Sequence, residues 1–170
     1  MPNESDFIEK FWSAIPSTKI LMLGLVNVDD SHTRPMTIQL DDDRRDAMWF
    51  FTTRENALVK NIDLNDKGFA TFTSRNEYLF ASIHGNLNLE TDAYVIDRLW
   101  NSEIERWYPG GKADPELALL RFDLQRAEIW LNDSGILAGL KILFGANPKE
   151  VFQESVADVQ FPASATSSDF

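Results

Sequence analysis

The sequence predicts a mainly β fold with added helices: about six antiparallel strands in a closed or nearly closed barrel, the helices peripheral to it. Three observations carry this. Apolar segments of strand length recur at short spacing along 170 residues. The segment Tyr78 to Glu90 alternates strictly, with Leu79, Ala81, Ile83, Leu87 and Leu89 on one face and Phe80, Ser82, His84, Asn86 and Asn88 on the other. Helical patterns are too few to supply a crossover between successive strands, as a parallel doubly wound sheet requires.

Taken in order, residues 4 to 14 predict a helix, because Phe7, Phe11 and Ala14 form one apolar stripe; Pro16 is expected to end it. Lys19 to Val28 predicts the first strand, followed by a turn at Asp29, Asp30 and Ser31. Arg34 to Leu40 predicts the second, and Asp41 to Asp46 a charged turn. The third is Ala47 to Thr52. Thr53 to Leu64 predicts a helix capped by Thr53, with Glu55 in its first turn and Leu58 and Ile62 on its buried face. Gly68 to Thr73 and Tyr78 to Glu90 are the fourth and fifth strands. Thr91 is expected to cap a helix reaching Trp100, and Ser102 starts a helical turn that Pro109, Gly110 and Gly111 break. Leu117 to Leu131 is the sixth strand. Its parity slips between Leu124 and Ala127, which predicts a bulge near Gln125 and Arg126. Past Gly145 the chain drifts into Ala, Ser, Thr and Asp. Residues 1–145 are therefore expected to be one domain and 146–170 a flexible C-terminal extension.

Composition narrows the partners. Hydrophobic residues make up 44% and charged residues 25%, enough for a packed core. The formal net charge of −11 disfavours a phosphate backbone or an anionic membrane as a partner. The absence of cysteine removes disulfides, thiol nucleophiles and cysteine metal sites. The N-terminus, Met1-Pro2-Asn3-Glu4, lacks the basic start and apolar core of a signal peptide, so a cytoplasmic protein is expected. His32 and His84 stand far apart in sequence, and no metal site is expected on them.

The stretch from Trp49 to Ile62 is the most informative. A strand feeding a helix N-terminus presents free backbone N–H groups, which suits a phosphate. Ordinary helix capping explains the same pattern, and Glu55 in the first turn favours that plainer explanation. Arg34, Arg54 and Lys60 are the nearby cations; each is equally explained as a solvated surface charge. Trp12, Trp49 and Trp100 read as core. Trp107, followed by Tyr108-Pro109-Gly110-Gly111, reads as a loop tip, where an exposed aromatic is less expected.

Several segments together resemble the general stress protein branch of the pyridoxamine 5'-phosphate oxidase-like superfamily of FMN-binding split barrels. They are Arg34-Pro35-Met36-Thr37, Trp49-Phe50-Phe51-Thr52-Thr53, Tyr78 to Gly85, Leu99-Trp100, Trp107-Tyr108-Pro109-Gly110-Gly111 with Asp114-Pro115, and Ala127-Glu128-Ile129-Trp130. The resemblance spans about residues 5 to 132. It implies a split β-barrel binding FMN, with FAD as the alternative, between the subunits of a homodimer. Arg34 to Gln39, including Pro35, Met36 and Thr37, match the strand along the flavin ring. Phe51 and Thr52 match positions at the ring and ribityl chain, with Thr53 beside them. Asn56 stands where the family has serine at its phosphate-binding helix. The basic residues of the next two places are replaced by Ala57 and Leu58. Lys60 follows, about 200° around an ideal helix from Leu58. Lys60 and Trp107 complete the candidate cofactor-binding set.

The stretch from Trp130 to Ala138 has no Arg or His, so oxidation of pyridoxamine 5'-phosphate is not expected, and no catalytic acid or base is named. Two functions stay open: a flavin-binding stress protein acting as a weak flavin-dependent oxidoreductase, and a non-catalytic binding module that keeps the barrel with weakened cofactor affinity. The apolar run Met48 to Phe51 is expected to need a second surface over the sheet, which points to an isologous homodimer. Sequence alone ranks Arg34 above Thr52, and Thr52 above Lys60, in their contribution to flavin binding.

Overall fold

In the computed structural model, residues 2–74, 76, 78–131, 143–145, 147–153 and 155–162 are described. The sheet is organised on two long antiparallel strands, β6 (Leu79–Glu90) and β7 (Leu117–Leu131). On one side of β6 lie β5 (Lys67–Ser74), β1 (Ile20–Leu25) and β2 (Arg34–Thr37). On the far side of β7 lie β4 (Arg44–Thr53) and β3 (Gln39–Asp41). All the pairings are antiparallel. The path thus starts at β2 and ends at β3, which are consecutive in the chain with Ile38 alone between them. The sheet curls and meets itself through that residue, giving the mainly β split barrel the sequence predicts.

The expected second strand, Arg34 to Leu40, is split at Ile38. The reason is topological: the chain must leave β1 and join β4 within a few residues. Ile38 stays buried at 4% exposure and its N–H donates to the Lys19 carbonyl at 2.7 Å, so the kink is hydrogen-bonded rather than loose.

The alternation on β6 holds as far as Leu87. Leu79, Ala81, Ile83 and Leu87 are buried and their even-numbered neighbours half-buried or exposed, whereas Leu89, expected on the same face, is 36% exposed near the end of the strand. The parity slip in β7 is a bulge. Arg126 pairs with His84 and Leu124 with Gly85, leaving Gln125 as the extra residue. A Cβ on Gly85 would stand 2.1 Å from the Asp123 carbonyl oxygen, so this close approach requires glycine.

The bulge also marks a change of partner. Residues 117–123 of β7 pair with β4, and 126–130 pair with β8 (Val156–Gln160). The expected flexibility of 146–170 is corrected here. A short helix, α5 (Pro148–Gln153), leads into a strand whose Val159 is fully buried and whose continuation, Phe161, is 6% exposed. Once β4 diverges, β7 has an open edge, and the alternating apolar residues of 156–161 fill it. The expectation for residues 163–170 lies outside the described residues.

The first helix, α1 (Glu4–Thr18), is started by a capping box between Asn3 and Asp6. It runs through Pro16 instead of ending there. In the last turn, proline forfeits one hydrogen bond, while Ser17 Oγ donates to the Ala14 carbonyl and Lys19 N–H to that of Ile15. Phe7, Phe11 and Ile15 enter the barrel core. Phe11 meets the rings of Trp12, Phe72 and Phe161 at centroid distances of 5.3, 5.9 and 6.0 Å.

A second apolar layer covers the outer face of β4. Here α3 (Ala93–Leu99), capped by Asp92 rather than Thr91, packs Leu99, Val95 and Ile96 on Ala47, Trp49 and Leu119. Arg98 of this helix pairs with the buried carboxylate of Asp41, and with Asp43 at 3.7 Å, which fastens α3 to the turn before β4. Trp49 is therefore 1% exposed within one chain, while Met48 and Phe50, on the opposite face of β4, are buried in the barrel core. The apolar run Met48 to Phe51 needs no partner subunit: the barrel interior covers one face and α3 the other. Among the described residues, no helix is long and apolar enough to cross a membrane.

Candidate functional site

An open cleft of about 490 Å³ lies where β2, the C-terminal end of β4 and a helical turn converge. Pro35, Met36 and Thr37 line it from β2, and Gln39 from β3. Phe51, Thr52 and Thr53 line it from β4, and Asn56 from the turn after it. The opposite wall is α4 (Ser102–Glu105) and the residues following it, with Glu103, Ile104, Trp107 and Tyr108.

Local chemistry fixes each wall. β2 pairs with β1 on one side only, so its other edge offers main-chain groups that no strand uses. Thr53 does not cap a helix from 53 to 64; the helix is α2 (Ala57–Asn61), and Asn56 is its cap. Asn56 Oδ1 accepts from the Leu58 N–H and its Nδ2 donates to Thr52 Oγ1, both at 2.9 Å. The Thr52 hydroxyl is thereby held as an acceptor, with its own proton available to a ligand. The phenyl ring of Phe51 stands edge-on to Trp100 at 5.7 Å.

The α4 wall is equally tied down. Asn101 Oδ1 accepts from the N–H groups of Glu103 and Ile104, and its Nδ2 donates to Gln39 Oε1 at 3.3 Å, joining this wall to β3. Past the helix, Trp107 N–H donates to the Ile104 carbonyl and Gly111 N–H to that of Tyr108. Asp114 accepts from the Gly110 N–H at 3.1 Å. On this braced turn Tyr108 is buried at 7% exposure, whereas Trp107 is 80% exposed at the cleft rim. Burial pushes the Tyr108 phenol up, and the Asp114 carboxylate adds to the effect. The phenol keeps its proton at neutral pH and can act as a hydrogen-bond donor.

The cleft brings together every sequence-derived candidate except Arg34 and Lys60. Arg34 donates to the Asp30 carboxylate at 2.5 Å and to the His32 carbonyl at 3.3 Å. Lys60 pairs with Glu55 at 2.5 Å. Arg54 donates to the Pro115 carbonyl at 3.0 Å. Sequence reasoning missed Glu103, Ile104 and Tyr108 as lining residues. Tyr108 was flagged as part of a loop tip, and Glu103 lies four residues before Trp107, a spacing that puts both on one side of a helical turn.

A curled antiparallel sheet closed through one kinked strand, with a polar and aromatic cleft beside the kink, defines a split-barrel protein. The chain belongs to the pyridoxamine 5'-phosphate oxidase like family, whose model matches residues 6–150. It is 25% identical over 138 residues to general stress protein 26 of Bacillus subtilis (strain 168), covering 78% of this chain and 93% of that one. The solved general stress FMN/FAD binding protein of the phytopathogen Xanthomonas citri is 47% identical, over 76% of this chain and 92% of that one, with a TM-score of 0.71. General stress protein 26 of Bacillus anthracis str. Sterne, 19% identical over 72% of this chain and 92% of that one, shares the fold at a TM-score of 0.61.

Proposed function

We propose that this chain binds a flavin nucleotide, FMN or FAD, in the cleft, at the contact between two copies of the chain. The observation carrying this reading is the convergence of Pro35, Met36 and Thr37 with Phe51, Thr52, Asn56 and Trp107 in one cleft, from segments far apart in sequence. The donor set suits a flavin. An unpaired strand edge can meet the polar rim of the ring, aromatic surfaces at Phe51 and Trp107 can pack on it, and the hydroxyls of Thr37 and Thr52 suit a ribityl chain. The Xanthomonas citri relative, named for binding FMN and FAD, supports the same reading.

A bound flavin supplies one- or two-electron redox chemistry. This chain's part is to orient it and exclude water. The activity such a site would serve is that of a weak flavin-dependent oxidoreductase. The alternative, a binding module without catalysis, is favoured by the absence of a basic side chain lining the cleft among the described residues.

The second copy is supported by a surface, not by the Met48 to Phe51 run. Ile20, Met22 and Phe80 are 50%, 37% and 44% exposed on the outer face. Ile20 and Met22 pair in register with Thr37 and Pro35 of the cleft wall, so this apolar face is continuous with the cleft. Purified protein should be yellow, or turn so on adding FMN, with absorbance near about 450 nm. A chain that neither carries nor takes up flavin at micromolar concentration would falsify the reading.

A further inference from the structure

We infer that the cleft recognises the neutral part of a flavin, its ring and ribityl chain, and discriminates little on the phosphate, so that riboflavin, FMN and FAD bind with similar affinity. This rests on the proposal that a flavin occupies the cleft, and concerns which part of it the chain grips.

The argument starts from charge. Among the described residues Glu103 is the one charged side chain lining the cleft. Arg34, Arg54 and Lys60 are engaged elsewhere, by Asp30, the Pro115 carbonyl and Glu55, and Arg106, exposed at the C-terminal end of α4, does not line the cleft. The turn that leads into α2 offers no substitute. Ala57 carries no charge, Leu58 is 1% exposed in the barrel core with its N–H donated to Asn56 Oδ1, and Asn56 Nδ2 is donated to Thr52 Oγ1. A phosphate monoester carries roughly −1.5 to −2 charges at neutral pH. In this cleft it would face the Glu103 carboxylate with no cation lining the cleft among the described residues of the same copy to repay its desolvation, and a second copy brings the same net charge of −11.

The neutral contacts are well supplied, as the Asn56-held hydroxyl of Thr52, the Gln39 amide and the open edge of β2 show. The favourable arrangement buries the ring and polyol and leaves the phosphate in water. A group attached to that phosphate, such as the adenylate of FAD, then extends into solvent without displacing anything.

The test titrates the apo form of the full chain with riboflavin, FMN and FAD, followed by flavin fluorescence, at low (about 0.05 M) and high (about 0.5 M) salt, between which exposed charges become largely screened. Dissociation constants for the three should agree within about threefold, less than a single charge-assisted hydrogen bond would produce. FMN affinity should hold or rise slightly with salt, because the residual interaction is repulsive. Glu103→Gln should tighten FMN relative to riboflavin by about two- to fivefold at low salt and leave the ratio unchanged at high salt. The inference is overturned if FMN binds more than about tenfold tighter than riboflavin and loses that advantage in salt, since a cation then reaches the phosphate. Binding of none of the three is a different result: it removes the flavin reading itself. The wild-type comparison involves no substitution, so misfolding of a variant cannot obscure it.

Discussion

Replacing Arg34 with alanine should barely weaken flavin binding, while Thr52→Val should weaken it more. Sequence alone ranks these the other way, because a cation beside the matched strand is the natural phosphate ligand. In the structure the Arg34 guanidinium is held by Asp30 at 2.5 Å and by the His32 carbonyl, and it does not line the cleft. Its loss should therefore change the dissociation constant by no more than about twofold, the scale of a remote surface charge. Thr52 lines the cleft, and its hydroxyl accepts from Asn56 Nδ2 at 2.9 Å. Valine keeps the shape and removes both the donor to the ligand and the acceptor that orients Asn56. A neutral hydrogen bond contributes about 0.5–1.5 kcal/mol, so binding should weaken by about 2- to 13-fold. Lys60→Ala, removing an exposed pair with Glu55, should fall with Arg34→Ala. Fluorescence titration of the apo-protein with FMN measures all three, with circular dichroism to verify folding. A tenfold or greater loss in Arg34→Ala would show that its guanidinium leaves Asp30 to meet the ligand, and the reasoning about the cleft's charge would fail with it.

Three further outcomes follow from the fold. Gly85→Ala places a methyl 2.1 Å from the Asp123 carbonyl oxygen and should cost about 1–3 kcal/mol, lowering Tm by roughly 2–12 °C; an unchanged Tm by calorimetry would mean that the bulge shifts freely. Phe161→Ala removes a ring packed on Phe11 and Trp12 and should cost about 3 kcal/mol, roughly 6–12 °C in Tm, whereas a flexible extension would give no change. The raised pKa of Tyr108 stabilises the fold fully below the unfolded value near about pH 10, and this contribution is lost as pH rises through the folded value. Alkaline denaturation of Tyr108→Phe should accordingly lack part of the wild-type decline in stability; identical curves would refute the linkage.

How much of this was legible in the sequence depended on how local each signal was. The β6 alternation and the Gln125 bulge were readable because side-chain parity is a property of one strand. The cap of α2 was misassigned because Thr53 and Asn56 are both good caps, and local preference does not choose between them. Strand β8 was missed because its burial depends on β4 leaving β7 after Asp123, an event set more than thirty residues away. The two-faced run Met48 to Phe51 was readable, but what covers it was not. A partner subunit and α3 satisfy the pattern equally well, and the fold chose α3. Most of the cleft was legible as segments to be brought together. Its charge was not, since the pairing of Arg34 with Asp30 depends on the shape of the loop between them.

The hinge at Ile38 has a bearing on how binding would be felt elsewhere. On one side of it the chain is zipped to β1, and on the other to β4. Opening either pairing unclasps the barrel at this point, so the amides of Ile20 to Leu23, Arg34, Met36, Thr37 and Ile38 should exchange with solvent together when the clasp fluctuates. A molecule resting on Thr37, Gln39 and Phe51 spans both sides of the clasp. Its residence would be recorded as slowed deuterium uptake along β1, a strand that contributes nothing to the cleft.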